Sequence, residues 1–192
     1  MENTSTPPAV RLVPWGPDDL ALLHAANAPG MMAHLGGPET EEKVLRRHQR
    51  YVGLSAVPDA EADGRMYRVV TPEGDSAGLI GYWDRGDEAP AYETGWSVLP
   101  AFQGRGIAGA AARAVIERAR AQGRHRHLHA FPRVGNAASN AVCRKAGFTL
   151  LGQVEVDFPK GSFHLSNDWR FDLHPGPGDP AGGPAASLGE PG

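Results

Sequence analysis

Gln103-Gly104-Arg105-Gly106-Ile107-Ala108 follows a strand-like run, Trp96 to Leu99, and opens a long alanine-rich stretch of helical character. Two glycines let the backbone approach a ligand closely, and consecutive N–H groups at the positive end of a helix form a nest suited to a diphosphate. A phosphate-bearing cofactor is therefore the first expectation. Gly104, Gly106 and Gly109 also spell the Gly-x-Gly-x-x-Gly of a dinucleotide-binding turn. Such a turn opens a βαβ unit and carries an acid about 20 residues further on for the ribose. Here no Asp or Glu lies between Glu117 and Glu155, and the loop falls past the middle of the chain, which disfavours a dinucleotide. A glycine turn that merely packs strand on helix is the third reading.

Downstream, Asn136-Ala137-Ala138-Ser139-Asn140-Ala141-Val142-Cys143-Arg144-Lys145-Ala146-Gly147-Phe148 reads as a short helix stopped by a glycine and followed by a strand. Asn136, Ser139, Asn140 and Cys143 recur at helical spacing, so one polar stripe faces one side. Alone, that stripe reads as an N-cap followed by a solvated face. Paired with the glycine loop, in this order and at this separation, it resembles the GNAT superfamily of acyl-CoA N-acyltransferases. The resemblance spans residues 10–173, with specific motifs from Glu93 to Phe148. The Asn-x-x-Ser-Asn helix ending in Lys-x-Gly-Phe is similar to the subgroup of ribosomal-protein alanine acetyltransferases.

The pattern of apolar residues and turns predicts strands over 10–13, 66–71, 78–84, 91–99, 126–131, 148–157 and 164–172. Helices are expected from Pro17, over 38–54, over 104–122 with a stop at Gly123, and over 136–146. On the second helix Val44, Leu45, His48, Tyr51 and Val52 are expected to face inward. On the third, Ile107, Ala111, Ala114 and Val115 are. Residues 57–65 read as a polar loop. The order β-α-α-β-β-β-α-β-α-β-β is that of the superfamily, for which the resemblance implies an α/β (α+β) fold with a mixed sheet splayed around acetyl-CoA.

At 192 residues the chain is expected to hold one domain over 10–173, after a flexible start over 1–9 and before a disordered Gly/Pro/Ala-rich tail over 174–192. The single cysteine, Cys143, excludes an internal disulfide and fits the cytoplasm. No apolar run approaches a bilayer span, and the polar N-terminus is no signal peptide. Between Pro100 and Val154 nine Lys and Arg stand against Glu117, while the whole chain carries −3. A basic half suits a polyanionic cofactor, and an acidic remainder suits a cationic acceptor. Nucleic acid is disfavoured, since aromatics are not interleaved with the basic residues.

His125, His127 and His129 alternate and are expected to share a strand face, with no neighbouring thiol or carboxylate in sequence to complete a metal site. Trp83, Tyr92 and Trp96 are expected in the core or the cleft wall.

The resemblance also implies roles. Backbone groups of Ser97, Val98 and Leu99 would pair with the pantetheine arm, the N–H of Val98 or Leu99 polarising the acetyl carbonyl. Gln103, Gly104, Arg105, Gly106, Ile107, Ala108 and Gly109 would hold the diphosphate, and Asn136 the pantetheine chain. Glu93 stands where many members carry a carboxylate that takes the amine's proton through water. Deprotonating a lysine-like amine at pH 7 costs about 4.6 kcal/mol, and an α-amine about 1, so the demand on that base depends on the acceptor. Cys143 stands where many relatives have a tyrosine acid for the departing thiolate, and is otherwise expected as a small buried thiol. Ser139, one turn earlier, is the other candidate to hydrogen-bond the sulfur. No metal is expected, and the acceptor amine is a protein N-terminus or a small molecule met by a monomer or homodimer. The alternative is a non-catalytic module that binds CoA as a sensor.

Overall fold

A computed structural model of the chain describes residues 8–58, 61–86 and 90–174. The start before residue 8 and the tail from residue 175 lie outside the described residues. The elements follow the expected order. They are β1 (Arg11–Pro14), α1 (Leu20–Ala26), α2 (Glu41–Ala56), β2 (Gly64–Val70), β3 (Ser76–Asp84), β4 (Tyr92–Val98), α3 (Ile107–Gln122), β5 (His127–Ala130), α4 (Ala137–Ala146), β6 (Thr149–Asp157) and β7 (Phe163–Asp172).

The strands form one mixed sheet in the order β1-β2-β3-β4-β5-β7-β6. All neighbours are antiparallel except β4 and β5, which pair in parallel at Tyr92 with Leu128 and Glu93 with His129. A parallel neighbour needs a crossover, and α3 supplies it. Alternation along the strands divides the core between the two faces. Tyr67, Val69, Ile80, Tyr82, Tyr92, Val98, Leu128 and Trp169 pack with α3 and α4 in one cluster. Met66 and Leu79 pack with Leu22, Leu23, Val44 and Tyr51 of α1 and α2 in the other.

Several local expectations change. Helix α2 starts three residues later than predicted, with Thr40 at its N-cap. Val44 and Tyr51 are buried, but Leu45 is exposed, because the apolar stripe is narrower than the sequence suggests. His48 accepts a hydrogen bond from Trp15 Nε1 at 3.1 Å. Gly64 and Arg65 belong to β2 rather than to a loop. Arg65 is buried yet satisfied, donating to the carbonyls of Leu54 and Val57. A charged side chain in a strand hides from pattern reading when its partners come from the end of the preceding helix.

Candidate active site

Beyond Glu93 the strands β4 and β5 part. In an antiparallel ladder, alternate residues turn N–H and C=O toward the same neighbour. Leu99 N–H donates to Ala77 O at 2.8 Å, and Ser97 is the partner of Leu79. Leu99 therefore spends its N–H on β3 and its carbonyl on Phe102 N–H, and Ser97 turns its backbone groups toward β3. Val98 and Trp96 face the opened edge. Gln103 Nε2 donates to the Val98 carbonyl at 2.9 Å, which ties the glycine loop to the end of β4 and leaves the Val98 N–H as the donor on the open side.

Gly104 and Gly106 have φ of +74° and +77°, the left-handed region that favours glycine. The first bond of α3 runs from Ala110 N–H to Gly106 O. The N–H groups of residues 104–109 therefore precede the helical ladder and gather at its positive end. Among the described residues no atom lies within 4 Å of where a Gly104 side chain would begin, so the nest opens outward there. Ile107 is buried and anchors the helix start, while the Arg105 guanidinium lies over the Phe102 ring at 5.6 Å. N–H groups without a partner among the described residues, a positive helix end, the basic Arg105 and a parted strand pair fit a diphosphate with an extended amide-bearing arm. They are the groups that would hold acetyl-CoA.

Helix α4 is arranged differently. Asn136 caps it, Oδ1 accepting from Ser139 N at 3.1 Å. Asn140 is buried and fully engaged: Nδ2 donates to Arg133 O (3.0 Å) and Asn136 O (2.8 Å), and Oδ1 accepts from Asn167 Nδ2 (2.6 Å) and Trp169 Nε1 (2.8 Å). Cys143 is wholly buried in the core, and burial pushes its thiol up to about 12. Of the expected polar stripe, two members are therefore consumed by packing. Ser139 stays half-exposed.

On the other face of the sheet, Arg85, Glu93, Phe131, residues 154–157 and Asp168 line a cavity of about 320 Å³. Two residues along β4 from Glu93, the Trp83 ring lies 3.1 Å from where a Gly95 side chain would start. Glu93 is half-buried, and burial raises its carboxyl above the ordinary range, opposed by Arg85, whose Nε is 3.9 Å from Oε2. Tyr92 lies in the core, whereas Trp83 and Trp96 are half-buried.

The histidines do not form the expected row. His125 precedes β5, and its Nε2 lies 2.9 Å from Asp84 Oδ2 on the Tyr92 face. His127 and His129 do share a face, with ring centroids 6.4 Å apart. Asp168 meets His129 Nδ1 at 2.7 Å. Residue-by-residue reading missed this pair because its members lie on strands far apart in sequence. Among the described residues no group of three His, Cys, Asp or Glu is placed to hold a metal ion, and no helix is long and apolar enough to cross a membrane.

A family model described as an acetyltransferase (GNAT) domain matches residues 9–149. No curated protein sequence matches the chain. Among solved structures, the acetyltransferase from Salmonella typhimurium that modifies the N-terminal serine of 50S ribosomal subunit protein L7/L12 is 22% identical. The alignment covers 88% of this chain and 96% of that one, with a TM-score of 0.70. An aminoglycoside acetyltransferase in complex with coenzyme A is 18% identical over 85% and 95% of the two chains, with a TM-score of 0.68. Spermidine N-acetyltransferase from Vibrio cholerae, in complex with CoA and spermine, is 13% identical over the same shares, also at 0.68.

Proposed function

The chain belongs to the acetyltransferase (GNAT) domain family, and from that premise we propose that it moves an acetyl group directly, without an acyl-enzyme, to a primary amine held in the Glu93 cavity. It is an N-acetyltransferase with acetyl-CoA as cosubstrate. The thioester supplies an activated acyl group. The protein's part is to hold it, polarise its carbonyl and manage the amine's protons. The carrying observation is the parting of β4 from β5 after Glu93, with Val98 N–H on the open edge and the nest of residues 104–109 beyond it.

In this reading Val98 N–H donates to the acetyl oxygen, a contribution of the kind whose loss costs about 3 kcal/mol. The nest grips the diphosphate. Asn136, whose Oδ1 is committed to the cap, has its amide Nδ2 for the pantetheine chain. Ser139 hydrogen-bonds the departing sulfur. Cys143 has no part in it, since a buried thiol held near 12 is neither acid nor nucleophile at neutral pH. Glu93 receives the ammonium and takes its proton through water. Its raised carboxyl suits that task better than an ordinary one.

The acceptor is a protein N-terminus or a small-molecule amine, the two kinds that the similar structures act on. The carboxylates of Glu93, Glu155, Asp157 and Asp168 around the cavity favour a cationic one. A single domain over 10–173, at work in the cytoplasm where a lone cysteine stays reduced, completes the reading.

Release of free thiol from acetyl-CoA across a panel of N-terminal peptides, polyamines and aminoglycosides tests it. Turnover with at least one class is expected. Binding of acetyl-CoA without turnover on any would make the protein a CoA-binding module. Glu93→Gln should slow acetylation of lysine-like amines far more than of α-amines, most strongly toward low pH. With its carboxyl raised, the wild-type rate should fall on the acid side at a higher pH than an ordinary carboxylate would give.

A further inference from the structure

Acetylation of an ammonium removes two protons from nitrogen, one to expose the lone pair and one as the amide forms. Glu93 accounts for the first. We propose that His129, held by Asp168, is the second proton acceptor, an inference that rests on the reading of the Glu93 cavity as the acceptor site.

Four observations carry it. Glu93 and His129 are register partners at the last rung of the β4–β5 seam, so their side chains leave the same face side by side. The His129 ring stacks on Phe131, with centroids 5.7 Å apart and planes at 17°, while Phe131 and Asp168 line the cavity. His129 Nδ1 lies 2.7 Å from Asp168 Oδ1, both side chains largely buried. An ionised carboxylate only accepts, so Nδ1 carries the hydrogen, and in the neutral imidazole Nε2 carries the lone pair. Finally, Nε2 has no hydrogen-bond partner among the described residues, although the ring is held on two sides. A histidine oriented by a carboxylate through one nitrogen and free at the other is the geometry of a base.

The charged groups that face His129 are Asp168 and Arg170 on β7, His127 on its own strand and Glu93 on β4, with Arg85 beyond Phe131 at 4.6 Å from its ring. Asp168 is the one in contact.

The balance is as follows. R–NH3+ gives one proton to Glu93 through water and becomes R–NH2. The nitrogen lone pair forms the C–N bond, the C–S bonding pair leaves on sulfur, and the second N–H proton passes to His129 Nε2. The products are R–NH–acetyl, a thiolate and two protonated acceptors, which return their protons to the thiolate and to water.

The two acceptors differ in a measurable way. The first proton is absent from an amine that arrives neutral, whereas the second is lost by every primary amine. Turnover by Glu93→Gln and His129→Gln is compared across amines of graded pKa, with acetyl-CoA affinity read by calorimetry. His129→Gln should lose about a hundredfold or more in kcat, to a similar extent for all amines and with acetyl-CoA affinity unchanged. Asp168→Asn should lose a smaller factor in kcat, and added imidazole should restore part of the activity of His129→Ala. A loss in His129→Gln that tracks amine pKa as that of Glu93→Gln does would overturn the proposal. So would retained activity in His129→Gln, or loss without imidazole rescue. Absence of turnover in the wild type would instead refute the acetyltransferase reading of the cavity.

Discussion

Helices α3 and α4 both begin at motifs that stand out in the sequence, yet their starts are built in opposite ways. At α3 no side chain caps the helix, two glycines sit at positive φ, and the N–H groups of residues 104–109 precede the ladder. At α4 Asn136 caps the first turn, and Asn140 spends its whole amide on Arg133, Asn136, Asn167 and Trp169. Polar groups left unpaired among the described residues are open to a ligand, and polar groups paired inside the protein hold its elements in place. One start is a socket and the other a brace.

The sharpest way to break that contrast is at the brace. Asn140→Leu leaves the Trp169 and Asn167 donors without their acceptor and should cost about 4 kcal/mol of stability, read as a lower denaturant midpoint at unchanged slope. A variant as stable as the parent would mean α4 is not held by this amide. At the socket, Gly106→Val puts a β-branched side chain at φ +77°, where its Cβ would also meet Pro8 Cδ at 3.2 Å. Acetyl-CoA affinity should fall at least a hundredfold, about 2.7 kcal/mol, in a protein that circular dichroism shows to be folded. Equal affinity would erase the distinction between the two starts.

Smaller effects sharpen it. Ser139→Ala should lower kcat roughly ten- to a hundredfold, as expected for one or two hydrogen bonds to a charged sulfur. Cys143→Ala should keep most activity, and the wild-type thiol should resist alkylation until the protein is unfolded. The reverse ranking would move Cys143 from the core to the chemistry. Smallest of all, Asn136→Ala should cost about 1 kcal/mol of stability for the lost cap. A parallel drop in acetyl-CoA affinity would show that its Nδ2 also serves the cofactor.

The order of elements was legible because local signals agree. Glycines stop α3 and α4, alternation marks the strands, and a meander needs no long-range information. The glycine loop was legible for the same reason. What the sequence hid is set by pairing between distant strands. That Leu99 spends its N–H on Ala77 depends on the phase of the β3–β4 ladder, which no local pattern reveals. Asp168 completes His129 across the β5–β7 pair, 39 residues apart in sequence. Asn140 reads as part of a solvated stripe until β7 covers it with Trp169.

The two-rung seam between β4 and β5 also orders the molecule in time. The strands on one side of it, β1 to β4, are all antiparallel, with β2 to β4 a meander contiguous in sequence, and the strands on the other side come from residues 127–172. During synthesis β2 to β4 can pair as they leave the ribosome, since their hairpins close short loops. Glu93 and Val98 are therefore placed early. His129 waits for Asp168, and α4 waits for Trp169, both on the last strand to emerge. The nascent chain thus assembles the wall that carries Glu93 and Val98 well before the wall that carries His129, Asp168 and Trp169. A chain released before β7 would fold half a cleft and acetylate nothing.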